Sequence, residues 1–238
     1  MSKIIDLPVY LDGNPYPGRG IALGLTPDGR RSVCVYFIMG RSANSRNRIF
    51  EKTGDGIRTR AYDESKVEDP SLIIYRAVRH LDGMTIVTNG DQTDTIYDGL
   101  KSGLTFEEAL MTRTFEPDAP NYTPRISGLL SPESGGLSYQ LSILKSDGGD
   151  PAGCCRAFFS YEPALPGRGR AITTYVTDGS PLPSFEGEPV AIAVPNDVET
   201  WAEQIWEALD HDNRISLYVR AEDLTGGGTW ERLINGNE

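Results

Sequence analysis

Apolar runs of strand length, separated by short turns, recur along this chain, and this pattern constrains its fold more than any other feature. The first pair is IALGLTPDGRRSVCVYFIMG, residues 21–40, in which Pro-Asp-Gly separates two β-rich runs. Residues 47–62 repeat the pattern around Gly-Asp-Gly, and residues 71–90 repeat it around Asp-Gly. Asp and Gly readily adopt the backbone conformations of tight turns. The sequence therefore predicts three antiparallel hairpins, although the run before Asp82 also suits a helix by composition.

Two helices are predicted directly after the third hairpin. Asp91 is placed to cap a helix over residues 92–103. Thr105 and Glu108 have the spacing of a capping box, in which each side chain bonds the backbone N–H of the other residue. This box predicts a second, shorter helix that runs through Met111.

A third helix and more strands are predicted in the second half of the chain. The helix covers residues 198–209, with Asn196 and Glu199 at capping-box spacing. Its apolar residues recur at steps of three and four: Trp201, Ala202, Ile205, Trp206 and Leu209. The further strands are residues 125–130, 137–145, 155–162, 170–177 and 215–222. The Gly-rich tail after residue 222 is predicted to be loose.

This mixture of hairpins and helices is typical of the α+β class, in which helices pack on antiparallel sheets. The order of the elements lacks a βαβ rhythm, so a doubly wound parallel sheet is not expected. A boundary between domains could fall in the Pro-rich stretch 181–189, but a surface loop explains that stretch better. We therefore expect residues 1–238 to form a single domain.

Charge and hydropathy narrow the range of functions. The formal net charge is −11, which argues against general nucleic-acid binding because such binding needs basic surfaces. Apolar runs long enough to span a membrane do not occur, and the N-terminus lacks the basic and apolar regions of a signal peptide. We therefore expect a cytoplasmic protein with no membrane partner and no nucleic-acid partner.

The cysteines and histidines predict neither disulfides nor a metal site. Cys34, Cys154 and Cys155 form an odd set with one adjacent pair, which we interpret as reduced thiols. The two histidines, His80 and His211, are not near a cysteine in the sequence, so a zinc site is not expected. The sequence therefore predicts no metal and no cofactor.

Three arginines occur within the eight residues RSANSRNR, and they are the strongest sign of an anionic ligand. Arg41, Arg46 and Arg48 alternate with small Ser and Asn residues that add neutral hydrogen-bond donors. The planar guanidinium group suits phosphate and carboxylate because several donors meet several oxygens at once. The stretch lies between two predicted strands, where a ligand could reach it. The alternative is a solvated cluster whose arginines pair with surface Asp and Glu.

Two further polar stretches fit a nucleotide-like ligand. NGDQTDTI, residues 89–96, joins a strand to a helix start, where free backbone N–H groups bind anions. Its side chains offer the mixture of donors and acceptors that a purine-like ligand would need: Asp91, Gln92, Thr93 and Asp94. FEPDAPNYTPRI, residues 115–126, is stiffened by three prolines and can hold a catalytic carboxylate, Glu116, with Asn121 and Arg125 nearby. The alternatives are an ordinary helix cap and a rigid connector.

Taken in order, five segments resemble the archaeal-type IMP cyclohydrolases. They are GRGIALG, RSANSRNR, LIIY, NGDQTDTI and FEPDAPNYTPRI, at residues 18–24, 41–48, 72–75, 89–96 and 115–126. The resemblance covers about residues 17–128, and residues 1–17 precede it as an N-terminal extension. It implies a four-layer αββα sandwich like that of the N-terminal-nucleophile hydrolases, without use of an N-terminal nucleophile. It also implies the last step of purine synthesis, in which 5-formamidoimidazole-4-carboxamide ribotide closes to inosine monophosphate and releases water.

The same resemblance implies a purine ribonucleotide as the partner and assigns the catalytic residues. The family's active-site arginine, tyrosine and glutamate fall on Arg46, Tyr75 and Glu116, although the arginine spacing also admits Arg41 or Arg48. Glu116 is then the base or proton relay, Tyr75 exchanges a proton with the formyl oxygen, and Arg46 stabilises its charge. Tyr75 by itself reads as a core residue, so only the resemblance singles it out. The expected substrate-binding residues are Arg41, Arg48, Asn89, Asp91, Thr93, Asp94, Asn121 and Arg125.

Two other functions stay open from the sequence. A non-catalytic relative would bind a purine nucleotide without turning it over. An N-terminal-nucleophile amidohydrolase would need a processed N-terminal Ser, Thr or Cys, and Ser2 precedes the first predicted hairpin by too many residues to suit that role. The oligomeric state is also open, with a homo-oligomer as one option.

Overall fold

A computed structural model describes residues 3–67, 74–133 and 136–237. Within this part of the chain, fourteen strands form two sheets of seven. The first sheet has, in spatial order, β1 (Ile5–Asp6), β12 (Val190–Ala193), β11 (Arg168–Thr173), β2 (Arg19–Leu25), β3 (Arg31–Met39), β13 (Arg214–Asp223) and β14 (Thr229–Asn235). The second sheet has β10 (Asp150–Tyr161), β9 (Gly136–Asp147), β8 (Arg125–Glu133), β7 (Met84–Thr88), β6 (Arg76–Leu81), β5 (Gly56–Ala61) and β4 (Arg48–Thr53). The helices are α1 (Leu7–Leu11), α2 (Ala43–Arg46), α3 (Gln92–Lys101), α4 (Phe106–Leu110) and α5 (Val198–Ala208), with a 3₁₀ turn at Glu64–Lys66.

Neighbouring strands pair antiparallel, except for the parallel pair β1 and β12. The predicted hairpins are β2–β3, β4–β5 and β6–β7, and the α+β class with antiparallel sheets is confirmed. In the third hairpin the strand begins at Arg76, so the strand interpretation is right where the chain is described. Residues 71–73 of that hairpin lie outside the described residues, and so does Ser2 at the N-terminus.

The two sheets pack against each other because apolar side chains alternate along their strands. In β2, Ile21 and Leu23 belong to one hydrophobic cluster together with Val87 and Leu141 of the second sheet. Ala22, between them in the sequence, belongs to a different cluster on the opposite face of the first sheet. Successive side chains of a strand point to opposite faces, so a single strand contributes to both clusters.

Helices supply the apolar residues on the other side of each sheet. α1 and α5 join the first sheet in one cluster through Leu7, Leu11, Trp201 and Ile205. α3 and α4 join the second sheet in another cluster, which contains Ile96, Phe106, Leu110, Ile86 and Leu129. Burying a side chain of this size contributes about 1.5–3 kcal/mol, so these contacts fix the helices on the sheets. In the described part of the chain, each helix is too short or too polar to cross a membrane.

One predicted helix cap is present in the structure and another is replaced by a different residue. α4 has the predicted capping box between Thr105 and Glu108. α5 is capped instead by Asp197, whose carboxylate accepts a hydrogen bond from the backbone N–H of Thr200 at 3.1 Å. The box predicted from Asn196 was wrong because the side chain of Asn196 faces a distant turn and accepts a hydrogen bond there.

The Gly-rich tail is a hairpin, so the prediction of a loose tail was wrong. Gly226 and Gly228 adopt positive φ angles of 87° and 104° and turn the chain from β13 into β14. Glycine adopts such angles at little steric cost. Trp230 and Ile234 of β14 then pack on the cluster formed by α5 and the first sheet, and this packing holds the strand in place.

Candidate active site

Five buried polar side chains meet where strands of the two sheets face each other, and we call them the Arg–Tyr–Glu cluster. Its members are Arg19, Tyr36, Arg48, Tyr75 and Glu116, whose exposed fractions are 9%, 0%, 0%, 6% and 3%. Burying a charged or hydroxyl group is costly unless it finds partners. Such a concentration of titratable groups in the core is therefore a candidate site for chemistry.

Two glycines fix the position of Arg19 at the start of β2. Gly18 has a φ of 83°, and a Cβ there would lie 2.2 Å from the hydroxyl oxygen of Thr174. A Cβ on Gly20 would lie 2.2 Å from the ring of Phe37. The backbone of Arg19 can pack this closely only because glycine has no side chain. Its own N–H donates to Thr174 Oγ1 at 3.1 Å.

The charge of Arg19 is balanced by Glu116. Burial opposes the guanidinium charge, but the Glu116 carboxylate and the neighbouring tyrosines raise the pKa of Arg19 above its ordinary value. The Nε atom of Arg19 is buried and has no hydrogen-bond partner among the described residues. Arg19 therefore keeps its positive charge inside the cluster, and its Nε N–H can donate a hydrogen bond to a ligand.

Arg48 is the arginine of the RSANSRNR stretch that reaches the cluster. Residues 43–46 form helix α2, with a capping box between Ser42 and Ser45, and Arg48 then opens β4. Its Nε donates to the carbonyl oxygen of Ser45 at 2.8 Å and its Nη2 to that of Met39 at 3.2 Å. Nη1 is buried and has no hydrogen-bond partner in the described chain. Burial, with Arg19 adding to it, lowers the pKa of Arg48.

The other two arginines of that stretch lie at the surface. Arg46 Nη2 donates to Asn213 Oδ1 at 3.0 Å, and Nη1 donates to the carbonyl oxygen of Asp212. Arg41 pairs with the carboxylate of Asp178 and stacks on the ring of Tyr16, 5.0 Å from its centroid. Tyr16 interacts electrostatically with both Arg19 and Arg48, so Arg41 lies just outside the cluster.

Tyr75 and Tyr36 share a hydrogen bond inside the cluster. Their hydroxyl oxygens are 2.8 Å apart. Burial raises the pKa of Tyr75, although Arg48 and Arg19 oppose the shift. The backbone of Tyr75 is fixed by Thr59, whose Oγ1 accepts from the Tyr75 N–H at 2.9 Å. Tyr75 is therefore a rigidly held, neutral hydroxyl beside two guanidinium groups.

Glu116 is held by a loop that folds back on itself. Its backbone N–H donates to the carbonyl oxygen of Thr123 at 2.9 Å. The backbone N–H of Thr123 donates in turn to Asp118 Oδ1 at 2.6 Å, and its hydroxyl lies 2.6 Å from Tyr175 Oη. These bonds, together with the prolines of the loop, place the carboxyl group in the core.

Burial raises the pKa of Glu116 to about 7. Arg19, Arg125 and Arg48 favour the ionised form and limit this shift, whereas Asp118 adds to it. A carboxyl group that titrates near neutral pH is suited to general acid–base catalysis, because it can both accept and return a proton.

The predicted residues of NGDQTDTI bond mainly to neighbouring residues of the protein. Asn89 donates to the carbonyl oxygen of Pro124 at 2.9 Å and accepts from the N–H of Ile126 at 2.9 Å. Thr93 Oγ1 lies 2.6 Å from Thr88 Oγ1. Asn89 thus ties the start of α3 to the loop that carries Glu116.

The two aspartates of this stretch are engaged in ion pairs. Asp91 sits at the N-cap of α3 but makes no side-chain cap bond. Its carboxylate instead pairs with Arg113 and, at 2.7 Å, with Arg125. The predicted N-cap position is therefore right, but the predicted capping bond is not made. Asp94 pairs with Arg79 at 2.9 Å.

Arg125 links this network to Glu116, whereas Asn121 has a different contact. Arg125 Nη1 donates to Gln92 Oε1 at 2.7 Å, and its charge acts on Glu116. Asn121 Oδ1 accepts from the backbone N–H of Leu182 at 3.2 Å, which joins the loop to the segment after β11. Of the residues predicted from the sequence, Arg48, Tyr75, Glu116 and Arg125 thus come together.

Arg19 and Tyr36 were not predicted as site residues. The signal for Arg19 was present in GRGIALG, because a charged residue between two glycines is unusual in a strand and indicates close packing. Tyr36 has no comparable signal, since it sits within the apolar run VCVYFIM. Among the described residues, no group of three or more His, Cys, Asp or Glu side chains is placed to hold a metal ion.

The fold and the cluster define an α+β protein with a buried site suited to acid–base chemistry. The family model described as "IMP cyclohydrolase-like protein" matches residues 16–227, and the chain belongs to that family. The resemblance seen in the sequence is thereby confirmed, and the match extends beyond residue 128 into the second half of the chain.

Individual relatives are similar over shorter segments. An IMP cyclohydrolase of Methanopyrus kandleri is 36% identical over 115 residues, which cover 47% of this chain and 57% of the relative. One from Methanococcus maripaludis strain C7 is 33% identical over 129 residues, or 52% of this chain and 62% of the relative. One from Methanococcus aeolicus is 26% identical over 182 residues, which cover 62% of this chain and 89% of the relative. The chain thus spans about three fifths of the first two relatives.

Proposed function

We propose that this protein is an IMP cyclohydrolase, which closes 5-formamidoimidazole-4-carboxamide ribotide to inosine monophosphate with loss of water in purine biosynthesis. The observation that carries the proposal is the meeting of Tyr75, Glu116 and two arginines in the core of a member of this family. The names of the relatives describe the same reaction.

The reaction needs the groups that the cluster offers. The carboxamide nitrogen is a weak nucleophile and must lose a proton as it attacks the formyl carbon. The formyl oxygen gains negative charge and later leaves as water, so it needs a proton donor and a positive partner. General acid–base catalysis contributes about 10²–10⁴-fold, and holding the two ends of the substrate together lowers the barrier further.

Glu116 is our candidate for the base. With a pKa of about 7, it is partly ionised at neutral pH and can take the proton from the carboxamide nitrogen. It can then return a proton to the departing oxygen, directly or through Tyr75. Arg125 orients Glu116 in this proposal, since its charge acts on that carboxylate.

Tyr75 is our candidate for the group at the formyl oxygen. Its hydroxyl is neutral and hydrogen-bonded to Tyr36 at 2.8 Å. A neutral phenol donates a hydrogen bond to a developing oxyanion, and Tyr36 can replace the proton that Tyr75 gives up.

We assign the stabilisation of negative charge to Arg48 and Arg19 rather than to Arg46. The resemblance admitted Arg41, Arg46 or Arg48. The support for Arg48 is its electrostatic contact with Tyr75 and its Nη1, which has no hydrogen-bond partner among the described residues. Arg41 and Arg46, at the surface beside the cluster, are then candidates for the 5′-phosphate. Asn89, Asp91, Thr93, Asp94 and Asn121 position the loop and helix around the ligand in this proposal.

We also propose that the layers form the αββα sandwich of the N-terminal-nucleophile hydrolases within a single domain. The support is that the first sheet has apolar clusters on both faces. Residues 1–17 are an extension in this proposal, and its described part packs onto the domain through Leu7 and Leu11.

The decisive experiment follows inosine monophosphate by ultraviolet absorbance after addition of the formamido substrate. We expect the protein to produce it, and we expect Tyr75→Phe and Glu116→Gln to lower kcat by about 10² or more. The matched controls are Tyr62→Phe and Glu199→Gln, two exposed residues. Full activity of both site variants would refute the assignment, and a protein that binds the product without forming it would be a non-catalytic relative.

A further inference from the structure

Tyr175 is a buried tyrosine beside the Arg–Tyr–Glu cluster, and its exposed fraction is 1%. Its backbone N–H donates to the carbonyl oxygen of Pro17 at 3.2 Å, and its own carbonyl oxygen accepts from Thr173 Oγ1 at 2.8 Å. A Cβ on Gly18 would lie 2.6 Å from the Tyr175 ring. Tyr175 is therefore fixed against the short segment that leads into Arg19.

The hydroxyl of Tyr175 begins a chain of hydrogen bonds that leads to the backbone of Glu116. Tyr175 Oη is 2.6 Å from Thr123 Oγ1, and Thr123 Oγ1 donates to Asp118 Oδ2 at 2.5 Å. A threonine hydroxyl has one hydrogen and a carboxylate can only accept, so Tyr175 is the donor to Thr123. The carbonyl oxygen of Thr123 accepts from the backbone N–H of Glu116 at 2.9 Å. A single residue, Thr123, thus connects Tyr175 to Glu116.

The bond between Tyr175 and Thr123 joins the two sheets. Tyr175 follows β11 of the first sheet, whereas Thr123 comes just before β8 of the second sheet. The bonds between Thr123 and Asp118 lie within the loop itself, so they keep its shape without attaching it to the first sheet. Glu116 and Arg19 attract each other from opposite sheets. Their separation therefore depends on how the loop is attached.

We propose that Tyr175 is a positioning residue for the cyclisation reaction, which acts through Thr123 to hold the carboxyl group of Glu116 inside the cluster. It does not touch the reacting atoms, because its hydroxyl hydrogen is engaged with Thr123. Without this bond the loop moves away from the first sheet, and Glu116 gains access to water. The pKa of Glu116 then falls from about 7 towards its ordinary value of 4.5. The effect on catalysis rests on the proposed function, but the placement of Glu116 does not.

Variants at both ends of the bond test this proposal in the cyclisation assay. Tyr175→Phe keeps the ring and removes only the hydroxyl, so we expect kcat to fall by about 10–10²-fold with KM near the wild-type value. Thr123→Val should have a similar effect, whereas Thr123→Ser keeps the hydroxyl and should keep kcat. Adding Tyr175→Phe to Thr123→Val should change little, because the chain is already broken. The matched control is Tyr218→Phe, a buried tyrosine whose hydroxyl donates to Glu231 at 2.7 Å.

Infrared difference spectroscopy of the carboxyl band, with Glu116→Gln as the reference, titrates Glu116 without any substrate. We expect a midpoint near pH 7 in the wild type and in Tyr218→Phe, and a lower midpoint in Tyr175→Phe and Thr123→Val. Thermal unfolding confirms that each variant is folded.

The two measurements separate this proposal from the proposed function. An unmoved midpoint in Tyr175→Phe and Thr123→Val overturns the positioning role, whatever the rates are. A lowered midpoint with an unchanged kcat overturns the part of Tyr175 in the reaction. If the wild type does not cyclise the substrate, the proposed function fails, and the midpoints still decide whether Tyr175 positions Glu116.

Discussion

At the scale of single residues, Glu116 shows how burial changes the acidity of a carboxyl group. A carboxyl group in water is ionised at neutral pH, but burial raises the pKa of Glu116 to about 7 in spite of three nearby arginines. The cost of burying the charge outweighs the attraction of the arginines, so the protonated and ionised forms are equally populated near neutral pH rather than near pH 4.5. The same residue would be an ordinary acid on the surface.

The raised pKa of Glu116 has a measurable effect on stability. The folded protein holds the proton up to about pH 7, whereas the unfolded chain releases it near the ordinary pKa of 4.5. The stabilisation is therefore full below pH 4.5 and is lost as the pH rises to 7, by roughly 3 kcal/mol. We expect the free energy of unfolding of the wild type, relative to Glu116→Gln, to fall by this order between pH 4.5 and pH 8. Urea unfolding at both pH values measures it, and an unchanged difference contradicts the shift.

The activity should follow the ionisation of the same group. If Glu116 is the base, kcat/KM rises with pH and levels off above about pH 7, because only the ionised carboxylate accepts a proton. A pH–rate profile of the cyclisation reaction measures this. A rate that is flat between pH 5.5 and pH 8 would show that another group is the base.

Variants of Arg48 and Arg46 test which of these two arginines stabilises the developing negative charge. We expect Arg48→Met to lower kcat by about 10²–10³, the usual effect of removing a donor to a developing oxyanion. Arg46→Met removes surface contacts with residues 41, 212 and 213, so its kcat should change less than about tenfold. Thermal unfolding of both variants controls for misfolding. The reverse order of effects would return the catalytic role to Arg46.

At the scale of secondary-structure elements, the start of β2 decides where Arg19 lies. Gly18 and Gly20 permit a backbone approach that any Cβ would prevent, and the hydroxyl of Thr174 fixes the N–H between them. The element therefore places a charged side chain in the core through two residues that have no side chain at all. A strand with alanines at these positions would have to move away from Thr174 and Phe37.

Two glycine variants test whether the close contacts at Gly18 position Arg19. Gly13 and Gly18 both have positive φ angles, but a Cβ on Gly13 meets nothing within 4 Å. Gly13→Ala should cost only the backbone strain of about 1–2 kcal/mol. Gly18→Ala should cost more, because its Cβ also overlaps Thr174 and Tyr175, and it should lower activity by displacing Arg19. Chemical denaturation measures the loss of stability in both variants. Equal losses would mean that Gly18 is not tightly packed against Thr174 and Tyr175.

At the scale of the whole molecule, residues 3–16 are part of the packed structure. β1 pairs with β12, and α1 packs beside α5 on the outer face of the first sheet. Leu11 is 1% exposed, whereas Val9 in the same helix is 67% exposed. The extension thus covers apolar surface that the rest of the chain would leave open to water.

Substitutions in α1 measure this contribution. We expect Leu11→Ala to lower the free energy of unfolding by about 2–5 kcal/mol, the usual cost of a core cavity. Val9→Ala in the same helix should change it by less than about 0.5 kcal/mol. Neither side chain belongs to the Arg–Tyr–Glu cluster, so the KM of both folded variants should equal that of the wild type. A small effect of Leu11→Ala would mean that α1 is only loosely attached.

The sequence by itself determined the local features of this protein. Alternating apolar runs and Asp-Gly turns are sufficient to predict hairpins, because strand pairing across a tight turn is a local event. The capping box of α4 is local in the same sense, and the ordered motifs identified the family. The resemblance also selected Tyr75 and Glu116, which the structure brings into one cluster.

Only the tertiary structure decided which of several equivalent residues enter the core. Arg41, Arg46 and Arg48 look alike in the sequence, but the turn of α2 and the register of β4 bury Arg48 and leave the other two at the surface. Tyr36 and Arg19 reach the Arg–Tyr–Glu cluster from strands of the other sheet. They are too far along the chain from Tyr75 and Glu116 for a local sequence pattern to connect them. The raised pKa of Glu116 arises from burial in the folded protein, since the solvation of a side chain depends on the whole tertiary structure.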